Sequence, residues 1–319
     1  MRLSQGMSAL FILASASGGT AQDLHTPPTP EISDPGPAGT RISDGRIYAN
    51  YFPAAGAGPH PAILLLSGSE GGLGSLTKNM ATALAGEGFS VLQLCYFGCP
   101  GLPQKLVGVP LETFSDALGW MRRQQDIDGA RIGILGGSKG AEAALLAASR
   151  DMRLKAVVAT QPTSVVWPGI AYTREMHPGW LEHGKPLAYL PYARHGGETN
   201  IFAQYRNALA DVGRHPGAQI PVERIKAKIM LVCGEADSLW PSCPMADQIQ
   251  ERLAAHSRPI AVVLKYPDAG HEVFGLPIDP SSPHYQHLGS LGGTPAGIAA
   301  AHADAWPKVV AFFRQELSP

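Results

Sequence analysis

Residues 131–149 read RIGILGGSKGAEAALLAAS, and the fold class turns on how that stretch divides. RIGIL (131–135) reads as a strand and AEAALLAAS (141–149) as a helix. Between them, Gly136-Gly137-Ser138-Lys139-Gly140 fits the pattern G-x-S-x-G. A chain that turns this sharply from strand to helix leaves the serine at the apex in a strained conformation. Side chains two positions to either side would collide with neighbouring backbone, which is why glycine stands there. The turn exposes the Ser138 hydroxyl and puts the Lys139 backbone N–H at a helix N-terminus, where it can stabilise an oxyanion. At this glycine and serine content, chance alone supplies roughly 0.3 such matches. The flanking strand and helix are therefore what make the motif informative.

The same alternation extends in both directions. RIYANYF (46–52) resembles an early strand. AILLL (62–66) is a continuous apolar run, as expected of a strand buried on both faces. A helical stretch follows around 76–85, then the strand SVLQLCY (90–96). Leu111, Phe114, Leu118 and Met121 recur at helical spacing within 110–124. Residues 154–159 form a further strand. After a long interruption come KIMLVC (228–233), a helix at 245–255, a strand at 261–266 and a final helix at 295–316, which Pro307 is expected to kink or restart. Six alternations with apolar strands predict an α/β fold, a mostly parallel central sheet with helices on both faces. Such sheets carry their chemistry in loops at the carboxyl ends of the strands. The interruption at 163–220 is too long for an ordinary connection. It holds Trp167, Tyr172, Trp180, Tyr189, Tyr192, Phe202 and Tyr205 among Gly, Pro and His residues, and reads as a lid over the site. Its aromatics suit an apolar acyl or aryl group, although core packing accounts for them equally well.

A serine hydroxyl is a poor nucleophile until a base takes its proton. Of the eleven histidines, His271 follows the strand at 261–266 through the turn Pro267-Asp268-Ala269-Gly270, at a strand's carboxyl end and downstream of the serine. The acid is expected after the strand between them, and Asp237 in Gly234-Glu235-Ala236-Asp237 is the choice, able to hold the histidine tautomer. Glu235 and Asp268 are rivals, but Asp268 shares a short turn with His271 and is badly placed for the contact. The second oxyanion donor is expected from Ser67-Gly68-Ser69-Glu70-Gly71-Gly72, through the backbone N–H of Ser69 or Glu70. Lys139 and Glu142, three apart on the turn after the serine, are expected to pair on the surface. His177, His183, His195 and His215 fall in the lid at irregular spacing without a carboxylate cluster. No metal site or cofactor is predicted.

The chain has 319 residues, 45% hydrophobic and 16% charged, with a formal net charge of −1. That balance offers no electrostatic footprint for nucleic acid. Arg2, the short apolar run MSALFILASA (7–16) and Gly19-Thr20-Ala21 read as a signal peptide cleaved before Gln22, so export to the periplasm or beyond is expected. The run is too short to span a bilayer and no cysteine lies near it, so no stable membrane anchor is expected. Residues 22–45, rich in Pro and Asp, read as an irregular leader to a domain at 46–319. Cys95 and Cys233 sit in strand-like runs and look like buried thiols, while Cys99 and Cys243 lie in loops. Disulfides are possible in an oxidising compartment, with the pairing open.

Together SGSEGG (67–72), GGSKGAE (136–142), IPVERIKAKIMLVCGEAD (220–237), YPDAGH (266–271) and AHADAWPKVVAFF (301–313) make the chain resemble the catalytic domain of the acyl-CoA thioesterase / bile acid-CoA:amino acid N-acyltransferase family, related to dienelactone hydrolases. The likeness spans about 62–313. It implies an α/β-hydrolase fold, with Ser138, Asp237 and His271 at the family's triad positions. The family's acyltransferases carry Cys at the nucleophile position, so Ser138 resembles the members that transfer the acyl group to water. The family's N-terminal β-sandwich has no counterpart in residues 22–60, which have room for little more than a hairpin. The expected activity is that of a serine hydrolase, cleaving carboxylic ester or thioester bonds of a small molecule through an acyl-enzyme. An acyltransferase or amidase with the same triad, and a non-catalytic binding protein on a hydrolase scaffold, are the alternatives. Oligomeric state is left open.

Overall fold

Strands that are apolar on both faces need helices packed on both sides, and the computed structural model has that layering. It describes residues 29–319 except Arg46, Arg174 and 194–199. The expected signal peptide and His195 therefore lie outside the described residues. Along the chain run β1 (Thr40–Asp44), β2 (Ile47–Phe52), β3 (His60–Leu66), α1 (Ser75–Gly86), β4 (Ser90–Cys95), β5 (Val109–Pro110), α2 (Glu112–Arg122), β6 (Ile127–Gly137), α3 (Lys139–Ala148), β7 (Ala156–Thr160), β8 (Trp180–Glu182), β9 (Lys185–Pro186), α4 (Ile201–Ala210), β10 (Lys228–Gly234), α5 (Ser242–Ala255), β11 (Val262–Tyr266) and α6 (Pro295–Glu316). Eight strands form the main sheet in the order β1-β2-β4-β3-β6-β7-β10-β11. From β4 to β11 every pairing is parallel, and β1 and β2 add an antiparallel edge.

The period of two along β3 divides the core. Ala62, Leu64 and Leu66 join Ile132, Ile134, Leu231 and the inner faces of α2, α3 and α5. Ile63 and Leu65 face the other way, toward Val158, Val232, α1 and α6. Each leucine of AILLL is buried, worth about 1.5–3 kcal/mol of transfer free energy. The parallel strands bring their carboxyl ends to one edge, so the loops after β3, β6, β7, β10 and β11 become neighbours.

Three details differ from the sequence reading. The leader expected to be irregular up to residue 45 contributes β1, paired with β2 from Thr40–Tyr51 to Asp44–Ile47. As an edge strand it buries little, so TRISD carries no apolar signal. Helix α6 runs unbroken through Pro307. Ala301, Ala305 and Trp306 before it, and Val309, Val310 and Phe313 after it, are buried in one cluster, and that packing outweighs the lost backbone bond. Cys95 and Cys233 are not free core thiols but are bonded to Cys99 and Cys243. The segment between β7 and β10 is a folded insertion. It carries α4, β8 and β9, and β8 pairs both with β9 and with β5, a short strand that precedes β6 and lies outside the insertion. Among the described residues no helix is long and apolar enough to cross a membrane.

Candidate active site

Ser138 stands between the last residue of β6 and the first of α3 with φ 55° and ψ −122°, a region that costs a non-glycine residue of order 1–3 kcal/mol. Its N–H donates to the Thr160 carbonyl at 2.9 Å, while its own carbonyl accepts from Ala141 and Glu142 and starts the helix. The glycines of the motif are steric necessities. A Cβ on Gly136 would stand 2.1 Å from the Gly140 carbonyl oxygen, and one on Gly140 would stand 2.3 Å from that of Ser67.

The structure brings the three residues singled out by sequence into one hydrogen-bonded line. The His271 Nε2 lies 2.9 Å from Ser138 Oγ, and its Nδ1 lies 2.9 Å from Asp237 Oδ2. Asp237 and His271 are buried, at 6% and 7% exposure. A buried carboxylate needs its lone pairs filled, and Asp237 has four donors. Leu239 and Trp240 donate their N–H groups to Oδ1 at 2.9 and 3.2 Å, and Ser242 Oγ donates to Oδ2 beside His271 at 2.8 Å. The rivals Glu235 and Asp268 are exposed on their turns. The Leu291 carbonyl accepts from both Ser238 and His271 N–H, at 3.1 and 3.0 Å, joining the acid loop to the histidine loop. Sequence reasoning missed Leu291, Ser242 and Trp240. Their roles arise from long-range contacts that no local pattern marks.

The loop at 67–72 passes beside the serine. A Cβ at Gly68 would lie 3.5 Å from Ser138 Cβ. Tyr96, at the end of β4, donates its hydroxyl to the Ser67 and Gly68 carbonyls at 2.8 and 3.0 Å, and the Glu70 carboxylate accepts from Gly68 N–H at 2.8 Å. Lys139 is the first residue of α3, where backbone N–H groups have no acceptor within the helix. Of the loop at 67–72, Gly68 is the residue that passes against Ser138. A narrow cleft beside this loop is lined by Ser69, Glu70, Phe97, Lys105, Leu106 and Tyr172, among others. The larger surface depressions, beside Gln219 and Arg252 and beside Glu112 and His183, contain none of the three aligned residues.

Lys139 and Glu142 depart from their expected surface role. Both are buried, at 2% and 0% exposure, with Lys139 Nζ 2.9 and 2.8 Å from the two Glu142 oxygens. Burial lowers the Lys139 ammonium and raises the Glu142 carboxyl, and their mutual attraction opposes both shifts. Tyr172 lines the narrow cleft, but other aromatics of the insertion are packed away from it. Trp167 and Trp180 are fully buried and Tyr205 nearly so. Ring contacts run from Trp167 to Tyr205 (4.6 Å), to Trp240 (5.7 Å) and to His271 (5.4 Å). His177 and His183 lie on other partners, near Thr173 and Glu112.

A serine beside a histidine that is itself held by a buried carboxylate can form and break acyl bonds. The model of a family described as BAAT / acyl-CoA thioester hydrolase C terminal matches residues 109–319. The mouse protein acyl-coenzyme A thioesterase 2, mitochondrial, is 31% identical over 292 residues, covering 89% of this chain and 61% of that one. Acyl-coenzyme A amino acid N-acyltransferase 2 of the rat is 32% identical over 297 residues, covering 90% and 67%. The chain thus spans three-fifths to two-thirds of these relatives' length. A provisionally assigned dienelactone hydrolase from Klebsiella pneumoniae has a TM-score of 0.57 at 18% identity, covering 87% of this chain and 97% of that one. The fold is the α/β-hydrolase fold.

Proposed function

The chain belongs to the BAAT / acyl-CoA thioester hydrolase C-terminal family, and on that premise we propose that it is a serine hydrolase of carboxylic esters or thioesters. The observation that carries this reading is the unbroken line from Ser138 Oγ through His271 to Asp237, each step 2.9 Å. Ser138 attacks the substrate carbonyl as His271 Nε2 takes its proton, and Asp237 holds the Nδ1–H tautomer. The backbone N–H groups of Lys139 and of Ser69 or Glu70 receive the oxyanion. Collapse expels the alcohol or thiol, protonated by His271, and leaves an acyl-Ser138 ester. Water, deprotonated by His271, then releases the acid. A panel of acyl esters and thioesters of graded chain length, run on wild type and Ser138→Ala, tests the proposal. Full activity in the alanine variant sinks it.

Acyl transfer to an amine is the second reading, favoured by the likeness to the rat N-acyltransferase. Added amino acids that yield conjugates in place of free acid would establish it. A protein whose Ser138 takes no fluorophosphonate label would instead be a binding module. We also infer export to an oxidising compartment. The apolar run at 7–16 with its small-residue site supports this, as do the two disulfides. The name of the mouse relative places that protein in mitochondria. Cell fractionation with a mature N-terminus at Gln22 is the expected result for the full chain.

A further inference from the structure

We propose that the buried Lys139–Glu142 pair is a positioning latch that fixes the insertion against the nucleophile turn and thereby sets the Lys139 backbone N–H for catalysis. The inference rests on the serine-hydrolase reading above. Two charges with almost no exposure lose their hydration, and apolar residues of similar volume commonly stabilise such a site as well or better. Stability alone therefore does not account for them, and the pair's further bonds point to what does. Glu142 Oε1 accepts from the Trp180 indole at 2.6 Å and from Trp167 N–H at 3.3 Å. Lys139 Nζ donates to the carbonyls of Trp167 and Pro168 at 3.3 and 3.4 Å and lies 5.6 Å from the centre of the Trp180 ring. All three of these residues, Trp167, Pro168 and Trp180, belong to the insertion.

Lys139 is also the residue after Ser138. Its side chain is tied to the insertion while its backbone flanks the reacting hydroxyl, so a shift of one moves the other. Trp167 extends the linkage to the far side of the site through Tyr205 and Trp240 to His271. Trp240 in turn donates its N–H to Asp237. The contacts form a closed ring: Ser138, Lys139, Glu142, Trp167, Tyr205, Trp240, His271 and back to Ser138. One insertion residue, Trp167, thus touches both the nucleophile side and the histidine side. Neither Lys139 nor Glu142 presents its side chain to substrate, so both are positioning residues.

The test compares Lys139→Met/Glu142→Leu with Trp180→Phe, using an acetyl ester, whose short acyl group minimises contact with the insertion. Removing both charges together strands neither, but the Trp180 indole and the Trp167 N–H lose their acceptor, so the double variant is expected to fold with a lowered melting temperature. Its kcat is expected to fall roughly tenfold or more, since displacements near 1 Å cost up to about a hundredfold, with KM for the acetyl ester within about twofold. Trp180→Phe keeps a ring but deletes the indole donor, and is expected to lose roughly threefold or more in kcat. A double variant that is folded and turns over at the wild-type rate overturns the latch. If the double variant does not fold, a wild-type kcat in Trp180→Phe overturns it. Fluorophosphonate labelling of the wild type separates the two levels. An unlabelled Ser138 removes the hydrolase reading and the latch together, whereas a labelled, active wild type with unimpaired variants removes the latch alone.

Discussion

Asp237→Asn is expected to lower kcat/KM by about four orders of magnitude while leaving the fold in place. The structure dictates how the amide must sit. Asp237 Oδ1 accepts two backbone N–H groups, from Leu239 and Trp240. Those groups can only donate, so an asparagine must offer them its carbonyl oxygen. The amide nitrogen is then forced into the place of Oδ2, facing His271 Nδ1, while Ser242 Oγ can turn to accept from it. Nδ1 must accept from that NH2, which leaves the ring proton on Nε2, pointing at Ser138 Oγ. The base then already carries the proton it is needed to remove. In serine proteases a wrong tautomer of this kind lowers kcat by about 10⁴, equivalent to about 5.4 kcal/mol of transition-state stabilisation. Hydrolysis of a chromogenic short-chain ester, paired with a thermal melt, is the assay. A variant within about tenfold of wild type at an unchanged melting temperature would refute the assignment of Asp237 as the orienting acid.

Gly140→Ala places a methyl 2.3 Å from the Ser67 carbonyl oxygen. It is expected to cost about 1–3 kcal/mol in denaturant unfolding and, by moving the loop at 67–72 about 1 Å against Ser138, to lower kcat roughly a hundredfold. Burial alone would raise the Asp151 carboxyl, but hydrogen bonds from Arg122 and from the Arg153 N–H and guanidinium outweigh it and hold the group below its usual range. A depressed carboxyl adds stability that is complete above its unfolded pKa and is lost as pH falls through the folded value. Asp151→Asn should therefore melt earlier than wild type at neutral pH, and the gap should start to narrow as pH falls below about 4. Cys233→Ala/Cys243→Ala opens a loop of separation 10 that contains Asp237, and a loss of about 3 kcal/mol is expected from loop closure. An unchanged denaturation midpoint would show that the bond constrains nothing.

The layered α/β class and the succession of its main strands and helices along the chain follow from local information, because a two-sided burial pattern and a helical period are both written within a dozen residues. Ser138, Asp237 and His271 stood out for a related reason. Each follows an apolar strand, and parallel strands share an edge where their ends meet, so position along the chain stands in for position in space. The bonds that join the three are not local. Nothing in the residues around Leu291 says that its carbonyl receives both the acid loop and the histidine loop. Nothing in the composition of 40–44 marks an edge strand that buries little. The spacing of Lys139 and Glu142 predicts an ion pair but not its burial, since burial is decided by what lies on top. The indole of Trp180 reaches Glu142 from 38 residues away. The insertion's aromatics likewise read as a pocket or as core with equal ease, until the fold packed Trp167 and Tyr205 against Trp240. Periodicity reports which face of an element avoids water, whereas only the closed chain determines which distant group covers that face.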